Sequence, residues 1–295
     1  MPNWSKILER VQAVSNEGVE LNNIRNEYLT KINTITGRNV ISYYSCWLKT
    51  PGAPNSSIND QDKNAFMNAV HQMDRIKGLD LILHTPGGDL AATESIINYL
   101  DTLFNGDIRA IIPQISMSAG TIIAMSCKEI VMGKQSSLGP IDPQMGGIAC
   151  QSVIEEFKQA VGDIATNPAS APLWQSIIGK YNPTFLVTCQ NAINWSEQLM
   201  VDILTKSNPG IDLQRVKNVF LNNSNSFSHS RHISKDQCKA IGLKIVDLES
   251  NQDLQEAVLS LHHAYMILMD KFSISKVVEN QIGSCYVQKF DPKKM

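Results

Sequence analysis

The sequence predicts an α/β protein built on a mainly parallel sheet, and three features of the chain carry that expectation. Short apolar runs rich in β-branched and aromatic residues alternate with segments of helical period. The runs are apolar almost throughout, as in strands covered by helices on both faces. Several are closed by glycine or proline, so that each strand gives way to a turn and then a helix. Regular alternation of this kind implies parallel strands joined by right-handed crossovers.

Taken in order, residues 1–38 form a helical leader, 39–250 a core and 251–295 a C-terminal helical extension. The core opens with a strand in Asn39–Trp47 (NVISYYSCW). A polar loop, Thr50–Lys63, leads to a helix with Phe66, Met67, Val70 and Met73 on one face. Leu79–His84 (LDLILH) is the next strand, closed by ProGlyGly. Ile96, Ile97, Leu100, Leu103 and Phe104 then mark a helix face. Ile108–Pro113, a helix opening near Ser118, and Glu129–Met132 repeat the step. Beyond Gly147 helical patterns dominate, at Ser152–Val161, Pro172–Tyr181, Thr184–Lys206 and Leu213–Leu221. A last β-α echo at Ser234–Leu248 precedes an apolar helix, Leu254–Met269. The apolar stretch Ala110–Cys127 is interrupted by Pro113, Gln114 and Gly120, so it reads as buried strand and helix and not as a membrane span.

Composition narrows the function. With 26 Lys plus Arg against 28 Asp plus Glu, the net charge of -2 supplies no field to gather phosphates, which argues against nucleic acid and anionic membranes as partners. The six cysteines include no CxxC pair and no Cys/His cluster of zinc spacing, so no metal is expected and the thiols read as reduced. Lys6, Glu9 and Arg10 occupy what would be the apolar core of a secretory peptide, and a cytoplasmic location is the expectation. No cofactor motif is visible. The absence of a GxxxxGK[ST] run means that any ATP dependence would need a separate partner.

Two loops at strand ends stand out: HTPGGD at His84–Asp89 and SMSAGT at Ser116–Thr121. Ligands in open α/β sheets bind at such ends. Glycines there let backbone approach a substrate, and amides at a helix start point outward with partial positive charge, so the two loops together suit an oxyanion. Ser118 stands where strand turns into helix, a placement that serves either a nucleophile or a plain N-cap.

PGG after a strand, SAGT at the following helix start and then SSLGPIDPQ together resemble the Clp-protease-like serine peptidases. Within them the chain is most similar to the serine dehydrogenase proteinase family, kin to the signal peptide peptidase A enzymes. The likeness extends through GRNVISYYS, LDLILHTPGGDLAATESI, KEIVMGKQSSLGPIDPQ, VIEEF, KYNPTF and KVVEN, and HISKDQCKAIGLKIVDL resembles the closing helix-turn-strand of the Clp fold. The resemblance implies a ClpP/crotonase-like ββα superhelix in which the serine of a Ser-x-Gly motif attacks a peptide carbonyl. That serine maps to Ser118, because Ser116 lacks a glycine two places on. The N–H groups of Gly88 and Ala119 would form the oxyanion hole, and peptides or proteins would be the substrates.

The general base is open at this stage. The histidine position of Clp protease falls near Ile141, Asp142 and Pro143, with no histidine between Ser118 and Ser228. In the signal peptide peptidase A group a lysine serves, and Lys158 is the preferred counterpart. Gln151, Glu155 and Lys158 share one helix face, so Lys158 could turn inward. A lysine base has to be largely neutral, which needs burial or a cationic neighbour. His84 and Asp142 are second choices, followed by Lys180, His229 and His232. His262 and His263 read as packing residues within an apolar helix. That helix is expected to dock against another subunit, giving a homo-oligomer. Two rival readings remain: a crotonase-like acyl-CoA enzyme on the same superhelix, or a catalytically degenerate Clp-fold scaffold that binds peptides.

Overall fold

The structure, a computed structural model, describes residues 4–222 and 228–294. Strands β1 (Asn39–Ser45), β2 (Leu79–His84), β3 (Ile108–Ile112), β5 (Glu129–Met132), β10 (Ile245–Asp247), β11 (Ile274–Asn280) and β12 (Cys285–Lys289) form a seven-stranded sheet in the order β10-β5-β3-β2-β1-β11-β12. The pairs from β10 to β1 are parallel, and β11 runs antiparallel to both β1 and β12. A small sheet pairs β4 (Ile115–Ser116), β6 (Ser137–Leu138) and β9 (Ile233–Ser234). Thus β3 and β5 are each followed by a short strand in this second sheet, the ββα repeat of the expected superhelix. Thr85, just past β2, joins the same edge through a bridge to Ser116.

Strand side chains divide cleanly between the two faces, as a period of two requires. Ile41, Tyr43, Leu81, Leu83, Ala110 and Ile112 point into one core, under α3 (Gln61–Ala69), α4 (Leu90–Phe104), α5 (Ala119–Ser126), α8 (Phe185–Ser207), α9 (Leu213–Phe220) and α10 (Lys235–Ile241). Val40, Tyr44, Ile82, Ile111 and Val131 point into the other, under α1 (Trp4–Gln12), α2 (Glu17–Thr36) and α11 (Gln252–Lys271). Full burial of a side chain such as Leu21, Ile24 or Leu29 contributes about 1.5–3 kcal/mol. Asn16 caps α2 by accepting from the Val19 N–H at 3.1 Å, and Gly37 ends the helix in the left-handed conformation at φ 68°.

Two expectations change here. Residues 274–280 and 285–289 are strands, not part of a helical extension, and β11 lies inside the sheet beside β1. Its sequence concealed this because Lys276 and Glu279 interrupt the apolar run. Each is neutralised by a partner remote in the chain: Lys276 by Asp62 at 2.7 Å and Glu279 by Arg25 of α2 at 2.7 Å. The apolar helix expected to meet another subunit is α11, and it is covered within the chain by α1 and α2. Its His262 is buried beside Tyr44, whose hydroxyl lies 3.4 Å from Nδ1. Among the described residues no helix is long and apolar enough to cross a membrane.

A third group of elements, the hairpin β7 (Gln144–Met145) and β8 (Ile148–Ala149), α6 (Cys150–Thr166), α7 (Ala171–Ile178) and α8, forms a helical lobe packed around Cys150, Val153 and Cys189. It stands over the ends of the parallel strands.

Candidate active site

Ser118 is held at φ 50° and ψ -119°, a region L-residues rarely occupy. Its hydroxyl caps nothing in α5, which removes the N-cap reading. Strain of about 1–3 kcal/mol at such a residue persists only where surrounding bonds impose it. They do so here. The Met117 N–H donates to Thr85 O at 2.9 Å, and the Gly120 and Thr121 N–H groups donate to Met117 O and Ser118 O, both at 2.8 Å. The result is a sharp strand-to-helix turn that presents the Ser118 hydroxyl at the mouth of the sheet, the geometry by which α/β hydrolases display a nucleophile. Ser116, two residues earlier, has no exposed surface.

The Pro86–Gly88 loop meets this turn edge to edge. A Cβ on Gly87 would lie 2.7 Å from both Ala119 N and Met117 O, and Gly87 itself sits at φ +91°. Only glycine permits that approach. Gly88 is as crowded on its other side, where a Cβ would fall 2.3 Å from the backbone N and O of Ile58. Within the described residues neither the Gly88 N–H nor the Ala119 N–H donates to a carbonyl. Two unspent donors therefore flank Ser118. Asp89 closes the loop and caps α4, accepting from the Ala92 N–H at 2.8 Å.

A third loop supplies the remaining wall. Thr121 of α5 donates to the carbonyls of Ser116 and Gly139, each at 2.9 Å, and the Ile141 N–H donates to Phe220 O at 2.7 Å. This fixes the GPIDP segment beside Ser118. Asp142, 1% exposed, accepts from Gln144 Nε2 at 2.8 Å, and its other oxygen lies 2.8 Å from His229 Nδ1. A carboxylate accepts, so in this contact Nδ1 is the donor and Nε2 is left for another partner. Ser118, Gly88, Ala119 and His229 line one cleft of about 470 Å³, with Met145 and Trp195 of the helical lobe on its far side.

The structure does not bring the preferred lysine to this cleft. Lys158 is exposed on α6 and lines separate hollows, one of them with Glu155, Glu197 and Lys217. The face it shares with Gln151 and Glu155 lines one of those hollows and not the cleft that holds Ser118. Lys180 is likewise exposed, beside Tyr181 and Phe185 on another surface. His84 is sealed in the core, stacked on Tyr44 at 5.3 Å between ring centroids, and desolvation pushes its pKa from 6.5 down to about 4. It has no access to the cleft. His232 meets Ser137 at 3.1 Å, away from the cleft lining. Asp142 is paired with His229, which lines the cleft. The sequence alone held Asp142 and His229 as rival bases, because nothing local links residues so far apart.

Residues 55–278 match the profile of the family described as ClpP-like SDH-type serine proteinase. The chain is 27% identical over 208 residues to an uncharacterized protein of Methanocaldococcus jannaschii, covering 70% of this chain and 65% of that protein. It is 35% identical over 100 residues to a second uncharacterized protein of the same organism, covering 34% of each. The chain thus spans less than two thirds of either relative. With the family profile spanning β2, β3, β5 and β10, both loops at Ser118 and the Asp142–His229 pair, the chain belongs to the ClpP-like SDH-type serine proteinase family.

Proposed function

We propose that this protein hydrolyses peptide bonds through an acyl-enzyme on Ser118, with His229 as general base, Asp142 as its orienting carboxylate, and the Gly88 and Ala119 N–H groups as oxyanion donors. The observation that carries the reading is the 2.8 Å contact between His229 Nδ1 and Asp142 in the cleft that holds the strained Ser118. His229 Nε2 takes the Ser118 hydroxyl proton as Oγ attacks the carbonyl carbon. The carbonyl oxygen becomes an anion between the two N–H groups. The imidazolium, steadied by Asp142, then protonates the departing amine, and a water activated by the same nitrogen cleaves the ester. Each of these groups belongs to one chain, so the chemistry needs no neighbouring subunit and no metal ligand.

The cleft wall includes Leu90, Ile122, Ile141, Met145 and Trp195, which suits an apolar side chain beside the cleaved bond. A crotonase-like acyl-CoA enzyme, which works without a serine nucleophile, has no use for a strained serine, and a peptide-binding scaffold has no use for the strain. The test is Ser118→Ala together with labelling by a serine-directed phosphonate. Hydrolysis of an unstructured protein substrate should fall by at least about 10³-fold, and the label should be found on Ser118 in the native chain. Hydrolysis that survives the substitution would end this assignment.

A further inference from the structure

The segment Ser56–Asn59 lies directly under the Gly87–Gly88 loop. The Ile58 N–H donates to Gly87 O at 2.8 Å and the Asp89 N–H donates to Ile58 O at 2.9 Å, forming a parallel bridge between Ile58 and Gly88. In extended backbone, successive residues turn their polar groups to opposite sides. Bonding Gly87 O and the Asp89 N–H to Ile58 therefore leaves the Gly88 N–H facing the other way, and Gly88 lines the cleft. The direction of this donor depends on where Ile58 stands.

Ile58 belongs to a polar, proline-containing loop and is itself buried in the core. It is gripped from behind by buried groups. Ser45 Oγ donates to Ser56 O at 2.5 Å, Lys276 Nζ donates to Ser57 O at 2.9 Å, and the Asn59 N–H donates to Asp62 Oδ2 at 3.0 Å. Lys276 and Asp62 have no exposed surface, and Nζ bonds both carboxylate oxygens, at 2.7 and 2.8 Å. Tyr43 adds its hydroxyl to Asp62 at 2.8 Å. An ion pair this deep adds little net stability over an apolar pair, but it gives its neighbours fixed positions.

We propose that the buried Lys276–Asp62 pair is a positioning device for the active site: it fixes Ser57 and Ile58, and through them the aim of the Gly88 N–H. The proposal rests on the reading above, in which that N–H receives the oxyanion. Neither Lys276 nor Asp62 lines the cleft, whereas Ser57 does. A donor turned out of line weakens the transition state and leaves ground-state binding in place, so the effect belongs in kcat and not in KM.

The experiment compares the full chain with Lys276→Met, the double variant Lys276→Met/Asp62→Asn, and Tyr43→Phe, following hydrolysis of a peptide substrate, phosphonate labelling of Ser118 and thermal unfolding. Lys276→Met strands a buried carboxylate and should lower Tm. The double variant removes both charges and should recover much of that loss. Its kcat should nonetheless stay about tenfold or more below wild type, with KM within about twofold and labelling slowed in parallel. Tyr43→Phe keeps the ring that stacks on Phe66 and removes one bond to Asp62, so it should fold and show about two- to fivefold lower kcat. A folded double variant with wild-type kcat overturns the proposal. So does wild-type kcat in Tyr43→Phe if the double variant aggregates. Failure of the underlying reading looks different, since Ser118→Ala would then retain hydrolysis whatever Lys276 does.

Discussion

His229 Nδ1 lies 2.8 Å from Asp142 Oδ1, and this contact joins the GPIDP loop to the far end of the helical region across 87 residues of chain. It places serine, aspartate and histidine in that order along the sequence. It also turns two candidates that compete as bases in the sequence into one unit.

If the proposed mechanism holds, removing either half of the pair should nearly abolish hydrolysis. Asp142→Asn keeps the shape but favours the wrong tautomer of His229, and a loss of about 10⁴ in kcat is expected, with a similar or larger loss for His229→Ala. Lys158→Ala should leave kcat within about twofold, since that amine lines other hollows. Steady-state kinetics on one peptide substrate separates the three. A silent Lys158→Ala with an active His229→Ala would return the base to Lys158.

Gly88→Ala should cost about 10²-fold or more in kcat, because the added methyl meets the Ile58 backbone at 2.3 Å and must push the donor aside. Circular dichroism and thermal unfolding establish whether the variant is folded. A folded Gly88→Ala with wild-type kcat would show that this N–H takes no part.

Ser118→Gly should make the protein more stable while abolishing hydrolysis. Glycine adopts φ 50° without a Cβ penalty, so relief of about 1 kcal/mol is expected, offset in part by the freer unfolded chain. Urea midpoints for Ser118→Gly and Ser118→Ala provide the comparison, with glycine the more stable of the two. Equal midpoints would mean that the turn stores no strain.

Acid should unfold the protein through its buried histidines. Desolvation lowers His84 from 6.5 to about 4 in the fold, and His262 is pushed down by the same cause and by His84 beside it. Between those values the unfolded chain binds a proton that folded His84 refuses, so stability is full above about pH 6.5 and falls as pH drops toward 4. At 1.36 kcal/mol per pH unit, His84 alone contributes about 3 kcal/mol to that loss. Denaturation midpoints measured from pH 7 to pH 4 should decline, and His84→Asn should flatten the slope. A slope unchanged by His84→Asn would remove His84 as its source.

The site divides along the same line as the fold. Ser118, Gly88 and Ala119 sit at short turns whose conformation shows locally, because a strand end, a tight glycine pair and a helix start are set by residues within a few positions of one another. The parallel strands were legible for the same reason: their apolar runs repeat at a period that survives any tertiary arrangement. Strand β11 was not, because Lys276 and Glu279 look solvent-facing until Asp62 and Arg25 arrive from elsewhere. Nor was the base. Lys158 has a suggestive spacing from Ser118, yet spacing along the chain does not say which way a helix face turns, and α6 turns that face away from the cleft. The Asp142–His229 contact exists only once the sheet, the lobe and the returning segment have packed. Backbone preferences and hydrophobic period are short-range and can be read in one dimension, whereas the partner of a buried charge is chosen by how distant segments are brought together.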